Sequence, residues 1–195
     1  MSKRSFISRY RWYLSALVVF LVGAGVAGGL IYQYKLYYHF RTVDPGKVYR
    51  SGCLSEGGLQ AVHDKTGFRT IVAARSRGEA EQNEDGWYIR ETEFCRDRGL
   101  HFEFFDMGVG QPPDPQQVER FERILDDPEK YPILIHCAHG VVRTSAMTAF
   151  YRVTRLGHDP REVWETVPRF GHDLEQYDRI KAFILGLKPG RKRTP

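Results

Sequence analysis

The spacing of apolar and polar positions divides this 195-residue chain into two unlike parts. No charged side chain occurs in residues 12–34, and Arg11 and Lys35 bracket that stretch. As a helix rising about 1.5 Å per residue it would run about 35 Å, enough to cross the roughly 30 Å hydrocarbon core of a bilayer. Trp12 and Tyr13 at one edge, with Tyr32, Tyr34, Tyr37 and Tyr38 at the other, form the paired aromatic girdles of a spanning helix. A cleaved signal peptide is the rival reading, helped by small residues at 24–29. The length and the second girdle favour a retained, single-pass anchor. Residues 1–11 then form a basic N-terminal flank, 12–34 the transmembrane anchor, and 35–47 a juxtamembrane linker ending at Asp44-Pro45-Gly46.

Beyond residue 47 the pattern alternates between strand and helix periods. Residues 48–50 read as a short strand, and Ser55 caps a helix that Gly67 closes. Residues 69–74 read as a buried strand, 75–86 as a charged loop, 87–98 as a helix stopped by Gly99, and 101–107 as another strand. A Gly/Pro loop over 108–114 leads into a helix from Pro115 with Val118, Phe121, Ile124 and Leu125 on one face. Residues 132–135 form a buried strand, and 146–156 an amphipathic helix stopped by Gly157. Two more helices are expected over 160–167 and 173–186. The sum is an α/β fold, a mostly parallel central sheet flanked by helices and preceded by one transmembrane helix. Its globular domain spans 48–187, with a basic tail over 188–195.

The formal charge of +5 hides an uneven distribution. Residues 43–187 carry 19 basic and 24 acidic side chains, so the central domain is acidic and the basic residues sit at the ends. An acidic domain argues against a nucleic-acid partner. The basic ends suit a membrane surface or are solvated termini. Cys53, Cys95 and Cys137 are too few for a disulfide framework, and whether Cys53 pairs with Cys95 stays open. The run Gly23-Ala24-Gly25-Val26-Ala27-Gly28 fits G-x-G-x-x-G but lacks the βαβ context that dinucleotide binding needs. Gly25 and Gly29 form a G-x-x-x-G pair that would let two spanning helices approach.

The chemistry concentrates in His136-Cys137-Ala138-His139-Gly140-Val141-Val142-Arg143-Thr144. A strand, a tight loop and a helix start converge backbone N–H groups on one anion. A thiol placed there ionises at neutral pH, and an arginine can grip two phosphate oxygens. A zinc site from His136, Cys137 and His139 lacks a second Cys/His pair, so no metal and no cofactor is expected.

These residues resemble the signature loop of the cysteine-dependent protein tyrosine and dual-specificity phosphatases, His-Cys-x-x-Gly-x-x-Arg-Ser/Thr. His136, Cys137, Gly140, Arg143 and Thr144 fill its five specified positions. Val48-Tyr49-Arg50-Ser51-Gly52 and Arg69-Thr70-Ile71-Val72-Ala73-Ala74-Arg75 look like motifs of small bacterial members and of plant and fungal atypical dual-specificity phosphatases. The resemblance implies that Cys137 attacks phosphorus and carries a phosphocysteine. Arg143 and the N–H groups of Ala138, His139, Gly140, Val141, Val142 and Arg143 would hold the phosphoryl oxygens. Gly140 would permit the turn and Thr144 would support the departing sulfur. Tyr49 and Arg50 read better as strand packing than as substrate contacts.

The superfamily places an aspartate general acid about thirty residues before the cysteine. Asp106, 31 residues ahead, is preferred over Asp114, which before Pro115 reads as a helix cap. His139 is expected at the rim. Val141 and Val142 stand where relatives acting on inositol phosphates tend to carry Lys or Arg, which favours a phosphorylated protein substrate. The leading expectation is a membrane-anchored protein phosphatase acting on phosphotyrosine or with dual specificity. A lipid or phosphoinositide phosphatase at the bilayer surface is the alternative, and an inactive phosphate-binding adaptor the third reading. Flanking charge leans towards a cytoplasmic N-terminus, whereas a free thiol suits a cytosolic catalytic domain, so the topology stays open. The sequence leaves the oligomeric state open.

Overall fold

A computed structural model describes residues 3–190, with side chains from residue 12 onward except Glu84. The charged side chains of the expected basic flank and residues 191–195 of the expected tail lie outside the described residues. Contacts divide the chain at Lys35 into an N-terminal unit and a compact unit beginning at Leu36. The N-terminal unit is a helix, α1 (Lys3–Leu36), whose segment Trp12–Leu36 is long and apolar enough to cross a membrane.

The compact unit is built on five strands: β1 (Arg41–Asp44), β2 (Val48–Ser51), β3 (Thr70–Arg75), β4 (His101–Asp106) and β5 (Ile133–His136). They lie in the order β1-β2-β5-β3-β4, parallel except for β1, which pairs antiparallel with β2. The central strands are apolar along their length, as strands covered on both faces must be. Period-two alternation divides their side chains between the faces. Ile133 and Ile135 pack with Val72, Phe105, Phe121, Met147 and Phe150, whereas Leu134 packs with Ile71, Leu59, Val62, Phe68 and Phe94. The first group lies under α5 (Pro115–Asp126) and α6 (Val142–Thr154), the second under α2 (Glu56–Thr66) and α4 (Trp87–Arg98). In-register pairing brings the ends of β2, β5 and β3 together, Ser51 opposite His136 and Ala73 opposite His136. The loop after His136 therefore opens at the carboxyl edge of the sheet, where such folds bind ligands.

Four expectations need correction. Residues 35–47 are not a plain linker: Phe40 is buried, and β1 covers what would otherwise be the exposed edge of β2. Residues 75–86 are not merely a loop. Ser76 and Glu79 form a reciprocal capping box that starts α3 (Arg77–Gln82). The helix after the signature loop starts at Val142 rather than residue 146 and is not amphipathic. Eleven of its thirteen residues are buried, because α7 (Pro160–Thr166) and α8 (Asp178–Gly186) pack on the side turned away from the sheet. The last helix starts at Asp178 rather than residue 173, since Phe170 and Gly171 take left-handed backbone and Asp173 accepts the Glu175 N–H in a turn.

Candidate active site

Five residues separate β5 from α6, and the turn between them rests on Gly140. Its φ is +66°, and a Cβ there would lie 2.2 Å from the Ser51 carbonyl oxygen, so only glycine fits. Arg50 on β2 fastens the loop from below. This arginine is buried, donating through Nη2 to the Gly140 carbonyl at 2.6 Å and the Ser145 hydroxyl at 3.2 Å, with Nη1 3.4 Å from the Thr148 hydroxyl. Burial pulls its pKa down to about 10, still well above neutrality. Arg50 does not line the cavity over Cys137, and by tying β2 to the loop and to α6 it does more than pack a strand.

Cys137 lies at the floor of a cavity of about 130 Å³ lined by Val109, His139, Val141, Val142, Arg143, His172 and Tyr177. Burial pushes its thiol up, but the Arg143 charge, the Thr144 hydroxyl and the N–H groups of Thr144 and Val141 outweigh that and hold it below the ordinary thiol value. The Thr144 hydroxyl is buried with no other hydrogen-bond partner, which leaves it for the sulfur. The other two cysteines are free thiols that behave oppositely, each pushed up to about 12 chiefly by burial.

Arg143 is held by a residue that the sequence reading passed over. Glu79 on α3 takes both Nη groups of Arg143, which also donates to the Met107 carbonyl at 3.0 Å. The same carboxylate accepts the Ser76 N–H and hydroxyl and the Arg75 Nε. Burial alone would raise the Glu79 pKa, but Arg143 and Ser76 bring it down to about 2. The signal was present as Ser76-x-x-Glu79, a helix-start pattern inside what read as a charged loop.

The structure does not bring Asp106 to the sulfur. Its Oδ1 accepts the Arg77 N–H at 2.7 Å at the start of α3, and Arg77 Nε lies 3.6 Å from Oδ2. Asp114 caps α5 by accepting the Gln117 N–H at 2.8 Å. Neither carboxylate lines the cavity, nor does any other among the described residues. The rim is aromatic instead. His139 meets the Tyr38 hydroxyl through Nδ1 at 3.0 Å and lies 6.0 Å, ring to ring, from His172. His39 reaches the His139 carbonyl at 2.7 Å and stacks on Phe170. Tyr38 and His39 thus belong to the site, although they fall in the segment expected as linker.

Comparison with known proteins identifies a family. Residues 41–177 match the family described as DSP-PTPase phosphatase fused to NAD+ kinase. The chain belongs to that family. It is thereby a member of the cysteine-dependent phosphatase superfamily, a group of phosphoric monoester hydrolases. A curated relative, probable NAD kinase 2, chloroplastic, from Oryza sativa subsp. japonica, is 34% identical over 110 residues. The match covers 55% of this chain but only 11% of that protein, so the chain spans about a tenth of its relative's length. Among solved structures, the catalytic domain of the PP-IP phosphatase SIW14 from S. cerevisiae superposes with a TM-score of 0.59 at 17% identity, covering 74% of this chain and 85% of that one. P. aeruginosa TpbA gives 0.56 at 18% identity, covering 77% and 91%. At these identities the two structures bear on the fold alone.

Proposed function

We propose that this protein is a membrane-anchored phosphatase that removes phosphate from phosphotyrosine in proteins through a phosphocysteine on Cys137. The single observation carrying the reading is that the loop between β5 and α6 sets the Cys137 thiol beside Arg143 in one small cavity, an arrangement that favours the thiolate. The Cys137 sulfur attacks phosphorus, forming an S–P bond as the P–O bond to the leaving group breaks and that oxygen takes a proton from water. Water then attacks the phosphocysteine, losing a proton as the sulfur leaves as thiolate, supported by the Thr144 hydroxyl. Two of the five Arg143 N–H donors remain after its bonds to Glu79 and Met107, enough to meet phosphoryl oxygens alongside the loop amides.

The cavity itself supports the aryl substrate. Val109, Val141, Val142 and Tyr177 supply apolar walls, and His139 and His172 flat rings. With no carboxylic acid at the wall, a phenol, whose pKa is about 10, leaves far more readily than an alkyl alcohol. TpbA has been crystallised with phosphotyrosine, and the valines at 141 and 142 add no cation for a densely phosphorylated inositol. The Trp12–Leu36 segment supports the anchor, and with it a second reading in which the substrate is a phospholipid at the bilayer surface.

The full chain in detergent should hydrolyse p-nitrophenyl phosphate without added metal, be silenced by vanadate, and retain phosphotyrosine proteins rather than phospholipid as Cys137→Ser. Turnover that survives Cys137→Ser would end the assignment. Recovery of the full chain in the supernatant after alkaline carbonate extraction would remove the anchor.

A further inference from the structure

Behind the signature loop lies a buried acid that the reaction above does not use. Glu91 on α4 is 0% exposed, and its Oε2 lies 2.9 Å from Nε2 of His136, itself 1% exposed. The approach is that of an ion pair, off the line of the N–H. The other carboxylate oxygen accepts the Cys53 thiol at 3.7 Å. On the far side of the ring, His136 Nδ1 faces the Cys137 carbonyl at 3.3 Å. Both ring nitrogens therefore lie close to oxygens, surroundings that suit a ring carrying two protons. A neutral pair with the proton on Glu91 is the competing arrangement. The Cys137 sulfur beyond the ring, when anionic, favours the protonated imidazole.

We infer that Glu91 is a positioning residue that keeps the His136 ring cationic beneath the loop, so that Cys137 stays a thiolate at lower pH than Arg143 alone would allow. This rests on the proposed role of Cys137. The groups facing the pair are few. Glu91 itself, the Cys95 thiol and the edge of the Trp87 ring come from α4 and Cys53 from the segment after β2, with Arg90 of α4 and Arg75 of β3 reaching Cys53. Around the sulfur itself stand Arg143, Arg50 and His136. Burial by itself would lower the His136 pKa, yet Glu91 and the Cys137 charge reverse that and raise it. An isolated charge buried this deeply would neutralise or destabilise the fold, whereas one set against an opposite charge is better tolerated.

The same three side chains have the makings of a metal site, since the Cys53 sulfur, a Glu91 oxygen and a His136 nitrogen lie within 4.8 Å of one another. Their spacing favours a shared proton instead. Two ligands on one tetrahedral zinc at about 2.0–2.1 Å stand about 3.4 Å apart, so the 2.9 Å pair would have to be forced open.

The test follows alkylation of Cys137 by iodoacetamide in the full chain in detergent across pH, read by mass spectrometry of its peptide. Removing the anion in Glu91→Gln should move the midpoint up by about one pH unit, slowing alkylation about tenfold on the acid limb. Glu91→Asp should fall between. An unmoved midpoint in folded Glu91→Gln overturns the inference. Should that variant fail to fold, nitrogen-15 spectra of His136 in the unsubstituted chain decide: two protonated ring nitrogens at pH 7 support it, and one overturns it. Stoichiometric zinc that is lost in Cys53→Ser would also overturn it. None of these readouts needs turnover, so failure to hydrolyse p-nitrophenyl phosphate would be seen separately.

Discussion

Gly140→Ala offers the sharpest mechanical test of the site. The added Cβ would lie 2.2 Å from the Ser51 oxygen, 2.4 Å from its carbonyl carbon and 2.5 Å from the Gly52 nitrogen, all backbone atoms. Those atoms cannot give way easily, because β2 is locked in register with β5 and Arg50 is buried beneath the loop. Reaching an ordinary 3.4 Å contact means that the loop retreats by about 1.2 Å. A displacement near 1 Å at a reacting centre lowers turnover about a hundredfold. Left-handed backbone adds about 1–2 kcal/mol of strain and overpacking about 1–3 kcal/mol, so the compact unit should lose about 2–5 kcal/mol. For a domain of this size that lowers Tm by roughly 5–20 °C. Gly67→Ala is the matched control: its φ is +61°, but nothing lies within 4 Å of the added atom. It should lose only about 1–2 kcal/mol and keep its turnover. The assay is kcat/KM on p-nitrophenyl phosphate at a temperature where circular dichroism shows both variants folded. Turnover of Gly140→Ala within threefold of the parent would refute the close-approach argument.

Glu79→Gln should alter how stability responds to acid. Because its folded pKa of about 2 lies below the ordinary 4.5, Glu79 stabilises the fold fully above pH 4.5, and that stabilisation fades as pH falls towards 2. The full shift would correspond to about 3.4 kcal/mol, and partial solvent exposure reduces it to about 1–2 kcal/mol. Unfolding free energies from urea titrations should therefore separate parent from variant by that amount at pH 6 and by only about a quarter of it at pH 2.5, and a gap undiminished at pH 2.5 would contradict the linkage. Asp106→Asn should keep aryl phosphate turnover within about threefold, while Asp114→Ala should lose about 1 kcal/mol of stability through its cap without changing the chemistry. A hundredfold fall in kcat for Asp106→Asn, with loss of the alkaline limb of the pH profile, would restore it as the general acid.

What the sequence made legible was whatever a local pattern determines. The signature loop, the Gly67 and Gly99 helix stops, the Ser55 cap and the buried run at 133–135 all declare themselves within a few residues. The fold class followed from their order. What stayed hidden depends on contacts far apart in the chain. β1 is a strand only because β2 needs a partner along its edge. The α6 helix hides its period because α7 and α8 cover the face that a two-layer pattern would leave polar. Glu79 reaches Arg143 across 64 positions of sequence, and its capping box was visible while its destination was not. Asp106 sat at the expected separation from Cys137, yet separation along the chain says nothing of which helix start a strand-end carboxylate will cap.

The two glutamates explain how so much charge is buried around Cys137. Around Cys137 stand Arg143, Arg50 and the His136 ring, three potential cations against one thiolate. Glu79 answers Arg143 and Glu91 answers His136, each from a helix outside the loop. With all of these ionised the cluster is neutral before a substrate arrives, so burying it is tolerable. The arriving phosphate then competes with Glu79 for one guanidinium. A carboxylate that both orients Arg143 and opposes the substrate charge should lower phosphate affinity while it sharpens geometry. Inorganic phosphate should accordingly inhibit Glu79→Gln at lower concentration than it inhibits the parent, even as kcat falls. Weaker inhibition of the variant would mean that Glu79 serves only to hold Arg143 in place.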